Sequence, residues 1–338
     1  MSQKKSIVVV GTGSIGERHL RCLLATGRAE VSICEVNPSL RAVMAERYPV
    51  KNVFDAYDAA VASRPDAVVI CTPAHLHVSL AAQAAKNGVH VLIEKPLSTT
   101  LAGVDELQRE VADRQLVSAV AYVCAHPALA AMRAAIHSGR LGEPVQIVAV
   151  AGQNFPFYRP AYRATYYRDR KTGGGAVQDA LTHVINAAEW LVGPTESLVA
   201  DLDHLLLEGV AVEDIVHVLT RHGKVMGCFS LNQHQAPNEN TITVICQGGT
   251  ARFEYHNCRW RCSAEPSGDW HDEPVGPLER DTLFLRQADA FLDALLAQGA
   301  PLCSLAEAAQ TLRANLAILT SAQRRSWERV VQEDQVHA

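Results

Sequence analysis

The 338-residue chain carries 31 Lys and Arg against 36 Asp and Glu, a net charge of −5 with no basic run, which argues against nucleic acid as a main partner. Its 48% hydrophobic residues suffice for the core of one large or two ordinary domains, and no run approaches the roughly 20 apolar residues that span a bilayer. The opening MSQKKSIVVV runs into a glycine turn and is too short for the apolar region of a secretion signal. Nine cysteines are scattered through apolar runs. Cys258 and Cys262 are the only close pair, and no second pair completes a zinc pattern. They read as reduced thiols of a cytoplasmic protein with no metal site.

Strand one is predicted over 6–10 and a helix over 15–27, joined by Gly11, Gly13, Ser14, Ile15 and Gly16. The first glycine permits the turn, the second lets backbone approach a pyrophosphate, and the third packs the helix on the strand. Strand two covers 31–36 and a helix runs from Pro38 to about Tyr48. Val53 begins a minor strand, Asp55 caps a helix through Ser63, and AVVIC at 67–71 is strand three. A helix from His77 to Asn87 stops at Gly88. Strand four is 89–94, a helix follows over 101–115, and 116–122 is a fifth strand. Short continuous apolar strands alternating with helices predict a parallel, doubly wound sheet, the Rossmann arrangement, over residues 1–124.

That context gives the glycine turn its meaning. Glu35, at the end of strand two and 24 residues after Gly11, is placed to bind the adenosine ribose hydroxyls. Its charge would repel a 2′-phosphate, so NAD is the expected cofactor, with NADP the alternative because Arg41 is near in sequence. Two more strand ends face the same edge of the sheet, Thr72-Pro73 with His77 after strand three, and Glu94-Lys95-Pro96 after strand four. Most lysines are plain surface cations. One held between a buried strand and a proline at the ligand edge is a better candidate for function.

The GTGSIG turn, the CTPAHLH segment and the EKP tripeptide together resemble the glucose–fructose oxidoreductase/inositol dehydrogenase (Gfo/Idh/MocA) family. The resemblance covers nearly the whole chain. It implies an α/β fold with an N-terminal Rossmann domain and a C-terminal α+β domain on an open, largely antiparallel sheet. It also implies that Lys95 lies beside the nicotinamide and binds the reacting hydroxyl, and that Thr72, Pro73 and His77 line the cofactor.

The pattern changes near residue 125, and 125–330 is taken as the substrate and oligomerisation domain, with 331–338 a tail. A helix over 127–139 and a strand over 145–151 precede a long irregular segment, 154–175, holding Tyr158, Arg163 and Tyr166. Tyrosine and arginine suit hydroxylated or anionic ligands, so these three are expected to contact substrate. A helix over 176–191 then places Asp179 and His183 at i and i+4 on one face. A helical histidine is commonly a structural core residue. Here GGGAVQDALTH resembles the family's second signature, which implies that Asp179, His183 and Lys95 form the catalytic set. The implied reaction is alcohol oxidation or its reverse. His183 takes the proton of a substrate hydroxyl while the adjacent carbon gives hydride to nicotinamide C4. Asp179 supports the imidazolium and Lys95 stabilises alkoxide charge, or Lys95 itself moves the proton.

The remainder reads as scaffold, with strands over 197–208, 212–220, 225–233, 241–247 and 251–256, a loop over 263–280, and helices over 281–297 and 304–328. The resemblance implies that the last helix packs back on the first domain and that the open sheet joins copies into a homo-oligomer, a dimer or tetramer. His217, His222, His234, His256 and His271 lack metal-ligand spacing. The expected partner is a small sugar or polyol, with no nucleic acid and no membrane. Two other readings compete: an NADP-dependent reductase of a keto sugar or nucleotide sugar, and a non-catalytic nucleotide-binding regulator, since fold does not fix function.

Overall fold

In the computed structural model, which describes residues 4–122, 125–273, 275 and 278–330, the apolar runs of the N-terminal third become a parallel sheet. The chain alternates β1 (Lys5–Val10), α1 (Ser14–Ala25), β2 (Ala29–Cys34), α2 (Pro38–Arg47), β3 (Val53–Phe54), α3 (Tyr57–Ala62), β4 (Ala67–Ile70), α4 (His77–Lys86), β5 (His90–Ile93), α5 (Val104–Asp113) and β6 (Ser118–Val120). The six strands lie in the order β3-β2-β1-β4-β5-β6, all parallel. Val9, Val68, Val69, Ile70 and Val91 are all but fully buried, as strands covered on both faces must be. The order reverses between β1 and β4, the switch point at which such sheets take ligands. Asn37 caps α2 by accepting the amides of Ser39 and Leu40, and Pro38 supplies the first helical position.

The chain divides into two compact units, 1–125 with 279–309, and 126–278 with 310–338. The second domain expected over 125–330 is thus interrupted by a segment that belongs to the first unit. Its main element is the helix Thr282–Leu295, α9 in chain order. Ala288, Phe291 and Leu292 of α9 lie in one core cluster with Leu20 and Leu23 of α1 and with β1, β2 and β4. The last helix, α10 (Leu305–Arg324), has its residues from 310 onward in the second unit. The reason is electrostatic as well as apolar. Arg21 makes a two-pronged contact with Asp281, both at 2.7 Å, and Arg28 meets Asp289 and Asp293.

The second unit is built on α6 (Pro127–His137), β7 (Pro144–Gly152), α7 (Phe155–Tyr158), α8 (Thr182–Val192), β8 (Ser197–Asp203), β9 (Ile215–His222), β10 (Val225–Asn232), β11 (Glu239–Cys246), β12 (Gly249–Glu254), β13 (Arg259–Ser263), β14 (His271–Glu273) and β15 (Glu328–Arg329). Among the described residues they form one sheet, β14-β13-β12-β11-β7-β10-β9-β8-β15, antiparallel except at β7 and β10. Strict alternation of buried and exposed residues along β9 gives it a covered and an open face.

Three differences from the sequence reading have identifiable causes. β8 ends at Asp203 rather than running to 208, because the buried Asp214 carboxylate accepts the amides of Leu205, Leu206 and Leu207 at 2.7–2.9 Å and turns the chain there. The stretch expected as a loop over 263–280 contains β14, which Arg261 and Arg259 hold through Asp272 and Arg140 holds through Glu273. Residues 154–175 are not irregular throughout. They form α7 and short turns over 162–164, 166–168 and 170–172, and Phe155, Tyr162 and Tyr167 share a small core with Leu207 and Val212. That segment is therefore fastened to the 204–214 loop, not free.

Burial raises the Asp214 pKa, but the three amides outweigh it and hold the carboxyl below its ordinary value. A depressed folded value means stability that is present above the unfolded pKa of about 3.9 and is lost as pH falls through the folded value. Asp214→Asn is expected to cost about 2–3 kcal/mol at pH 7 in denaturant unfolding, with the gap to wild type closing below about pH 4. A constant gap across that range would show that the charge of Asp214 is not what holds the loop.

Candidate active site

The glycine turn is shaped by close approach. A Cβ at position 16 would lie 1.9 Å from the Gly11 carbonyl oxygen, and Gly11 itself sits at φ +81° against Cys71. At Gly13 a Cβ would meet nothing within 4 Å. No side chain caps α1, so the first-turn amides at Ser14, Ile15 and Gly16 keep their capacity for an anion. The Glu35 carboxylate is turned onto this same turn. Its Oε2 accepts the Thr12 amide at 2.7 Å and the Thr12 hydroxyl at 3.1 Å, and its Oε1 accepts the Asn37 amide at 2.9 Å. Arg41 is held to the main chain, donating to the Glu35 carbonyl at 2.6 Å.

At the neighbouring strand ends, His77 lies across the two turns. Its Nε2 is 2.7 Å from the Thr72 carbonyl and its Nδ1 2.9 Å from that of Pro96, and burial pushes its pKa down. His77 therefore lies between the turn after β4 and the turn after β5, one ring nitrogen facing a backbone carbonyl of each. The Thr72 hydroxyl oxygen is buried without a hydrogen-bond partner, a polar atom left over for a ligand at that edge. Pro73 is exposed and leads into the short turn Ala74–Leu76.

Glu94 is buried and bonded on both oxygens. His19 Nε2 donates to Oε1 at 2.7 Å, and the Lys95 amide donates to Oε2 at 3.0 Å. Burial raises the Glu94 pKa, but the His19 contact and the nearby Lys95 charge bring it below the ordinary value. His19 escaped the sequence reading. The signal was there in its place on the inner face of α1, one turn after Gly16 and beside Leu20 and Leu23.

In the second unit, Asp179 lies on a π-helical turn, Val177–Leu181, that passes directly into α8 at Thr182. Such turns are rare and are often found at functional sites. Asp179 is 6% exposed, and the Tyr166 hydroxyl donates to its Oδ1 at 2.7 Å. His183 sits in the first turn of α8. Asn315 and Thr311 of α10 fix α8 through Thr182 and Asn186. Of the three side chains expected to meet substrate, only Tyr166 is placed on the Asp179 carboxylate. Arg163 donates to the Glu208 carbonyl and carboxylate and lies over the Tyr162 ring. Tyr158 is half exposed and stacks edge-on with Phe157. Among the described residues no group of three His, Cys, Asp or Glu side chains is arranged to hold a metal ion.

Residues 5–122 match the family model described as "Oxidoreductase family, NAD-binding Rossmann fold", and 129–252 match the GFO/IDH/MocA C-terminal domain. The levoglucosan dehydrogenase of Pseudarthrobacter phenanthrenivorans is 29% identical over 203 residues, 56% of this chain and 52% of that protein. An inositol 2-dehydrogenase of Pseudomonas syringae pv. syringae is 31% identical over 192 residues, 54% of this chain and 53% of that one. The chain thus spans about half the length of these relatives. Among solved structures, a levoglucosan dehydrogenase in complex with NADH and levoglucosan superposes with a TM-score of 0.90 at 23% identity, over 98% of this chain and 100% of that one. The WlbA dehydrogenase from Bordetella pertussis, in complex with NADH and UDP-GlcNAcA, gives 0.85 at 23% identity, over 98% and 99%. These two show a shared fold.

The glycine geometry separates two effects that a sequence pattern merges. Gly13→Ala is expected to unfold at the wild-type temperature, since its Cβ meets no protein atom, yet to weaken NADH binding by about tenfold or more by filling the phosphate approach. Gly16→Ala is expected to lower the unfolding temperature itself. Thermal unfolding with parallel NADH fluorescence titrations reads both, and equal NADH affinity in Gly13→Ala and wild type would contradict the assignment.

Proposed function

The chain belongs to the GFO/IDH/MocA oxidoreductase family, and on that premise we propose that it is an NAD-dependent dehydrogenase of a sugar, inositol or related polyol. The observation that carries the reading is Asp179, buried on a π turn with His183 one turn further along, in a chain that also presents Lys95 at the carboxyl edge of its Rossmann sheet. The relatives' names, levoglucosan and inositol 2-dehydrogenase, support the substrate class.

The residues of the first unit fit the cofactor. The uncapped start of α1 and the open side of Gly13 would take its phosphates, Glu35 its adenosine ribose, and the turns at Thr72-Pro73 and Glu94-Lys95 its other end. NAD, when bound, supplies the hydride acceptor. The work of the chain is then to hold a hydroxyl and move its proton. Lys95 donates to the reacting oxygen and stabilises its developing charge. His183 accepts the proton, and Asp179 orients and supports the imidazolium. The Tyr166 hydroxyl keeps Asp179 in position. Glu35 favours NAD over NADP because a 2′-phosphate would meet a carboxylate already committed to the Thr12 and Asn37 amides.

His183→Ala is expected to lower kcat by about 100-fold or more while leaving the NADH dissociation constant within about twofold. The assay is absorbance at 340 nm with myo-inositol, levoglucosan and free sugars, with NAD and NADP in parallel. Wild-type turnover in the variant would refute the assignment. Tight NADH binding with no turnover on any alcohol would favour the non-catalytic regulator.

The chain works as a homo-oligomer joined through the open face of its large sheet, in the cytoplasm. Support for the interface comes from one row across that face, Val199–Leu219–Cys228–Val148, in which Leu219 is half exposed. The cytoplasmic reading rests on the free thiols of the described cysteines. Leu219→Glu is expected to give monomers in light scattering where wild type gives dimers or tetramers, and a monomeric wild type would overturn the interface.

A further inference from the structure

We propose that Glu213 is a positioning residue for the catalytic turn, acting as a buried clamp that sets where Asp179 and His183 stand; this rests on the catalytic reading of those two residues. Glu213 lies just before β9 in sequence, far from residues 173–183, and its side chain is 1% exposed. It takes the first two amides of the segment that leads into the π turn. Its carbonyl accepts the Ala176 amide at 3.0 Å, and its carboxylate Oε1 accepts the Val177 amide at 3.0 Å. The other carboxylate oxygen receives the Arg170 guanidinium at 2.5 Å, from the turn just before Gly173.

The fit leaves no slack. Gly175 is at φ +94°, and a Cβ there would be 2.5 Å from Glu213 Oε1. Backbone presses directly on the carboxylate, which only glycine allows. From that point the hydrogen bonding runs on, with the Asp179 amide donating to the Gly175 carbonyl at 3.0 Å. One carboxylate therefore joins Arg170, Gly175 and Val177. It fixes both the start of the π turn and the end of the segment that carries Tyr166, whose hydroxyl meets Asp179. Asp179 follows Val177 by two residues and His183 by six. A negative charge held against amides at the start of a helical run also suits the field there. A buried carboxylate is costly unless fully bonded, and here it is.

The same structure says what each substitution removes. Glu213→Ala deletes the acceptor for Val177 and the partner of Arg170. Glu213→Gln keeps an acceptor for Val177 but sets an amide against the guanidinium. Arg170→Ala removes the pairing alone. The experiment is hydrogen–deuterium exchange of peptides covering 175–183, together with NADH titration and steady-state kinetics with the polyol that wild type oxidises fastest. Glu213→Ala is expected to lose protection at 177, whose amide the carboxylate accepts, and to lower kcat by about 10- to 100-fold, with NADH affinity within about twofold, because small misplacements of catalytic groups are expensive. Glu213→Gln and Arg170→Ala are expected to fall between it and wild type. They carry the test if Glu213→Ala does not fold.

Two results overturn the proposal. One is unchanged exchange at 177 in all three variants, a readout independent of any activity. The other is wild-type kcat in variants that have lost that protection, in an assay where His183→Ala is inactive. If His183→Ala is itself fully active, the catalytic reading has failed, and the positioning role falls with it.

Discussion

Gly16 has no side chain, and the first unit is arranged around that absence. With the Gly11 carbonyl where a Cβ would have been, α1 can lie directly against the turn that starts it. Everything further along α1 inherits this approach. His19 reaches Glu94 at the end of β5, the Phe284 ring of α9 stacks against His19, and Arg18 lies over the same ring. Arg21 then meets Asp281, and Arg28 meets two further carboxylates of α9. A shift of α1 away from β1 would break the seat of the EKP turn and the docking of α9 together.

Both units use one device to shape their chain, a buried carboxylate facing backbone amides. Glu35 holds Thr12 and Asn37, Glu94 holds the Lys95 amide, Glu213 holds Val177, and Asp214 holds three successive leucines. A carboxylate has two oxygens and several lone pairs, so it can organise two or three amides at once. Fully bonded, it is directional in a way apolar packing is not. Loops and turns need that direction, because they have no ladder of strand or helix bonds to set them.

Much of the first unit could be read in the chain because its signals are local. Gly11, Gly13 and Gly16 sit between an apolar run and a helical pattern, and Glu35 follows at the right distance. Several strands of the second unit were legible for the same reason, as local runs, whereas their open, largely antiparallel arrangement was implied by the family resemblance. What could not be read depends on partners far away in sequence. Nothing near Asp203 says that a carboxylate at 214 will end its strand, and nothing in α1 says that its histidine will find residue 94. The Asp179–His183 spacing was visible, but the π turn beneath it was not, because a single helical turn of different pitch leaves no periodicity to detect. In the Tyr/Arg-rich segment, composition did not say which side chain would face which neighbour. Arg163 and Tyr162 serve the packing of that segment on its neighbour, and only Tyr166 turns to Asp179.

The return of residues 279–309 to the first unit has a consequence for how the protein is made. A ribosome delivers the six parallel strands early, yet the apolar patch that Ala288, Phe291 and Leu292 cover stays bare until α9 emerges. The 126–278 stretch, with its own sheet from β7 to β14, is synthesised in the interval. The first unit is then closed only after most of the second has been made, although it is the first begun, and α10 and β15 complete the second unit later still. Its exposed face is a place for a chaperone to act during synthesis, and a chain cut short before α9 would keep the cofactor motif while lacking part of the core that supports it.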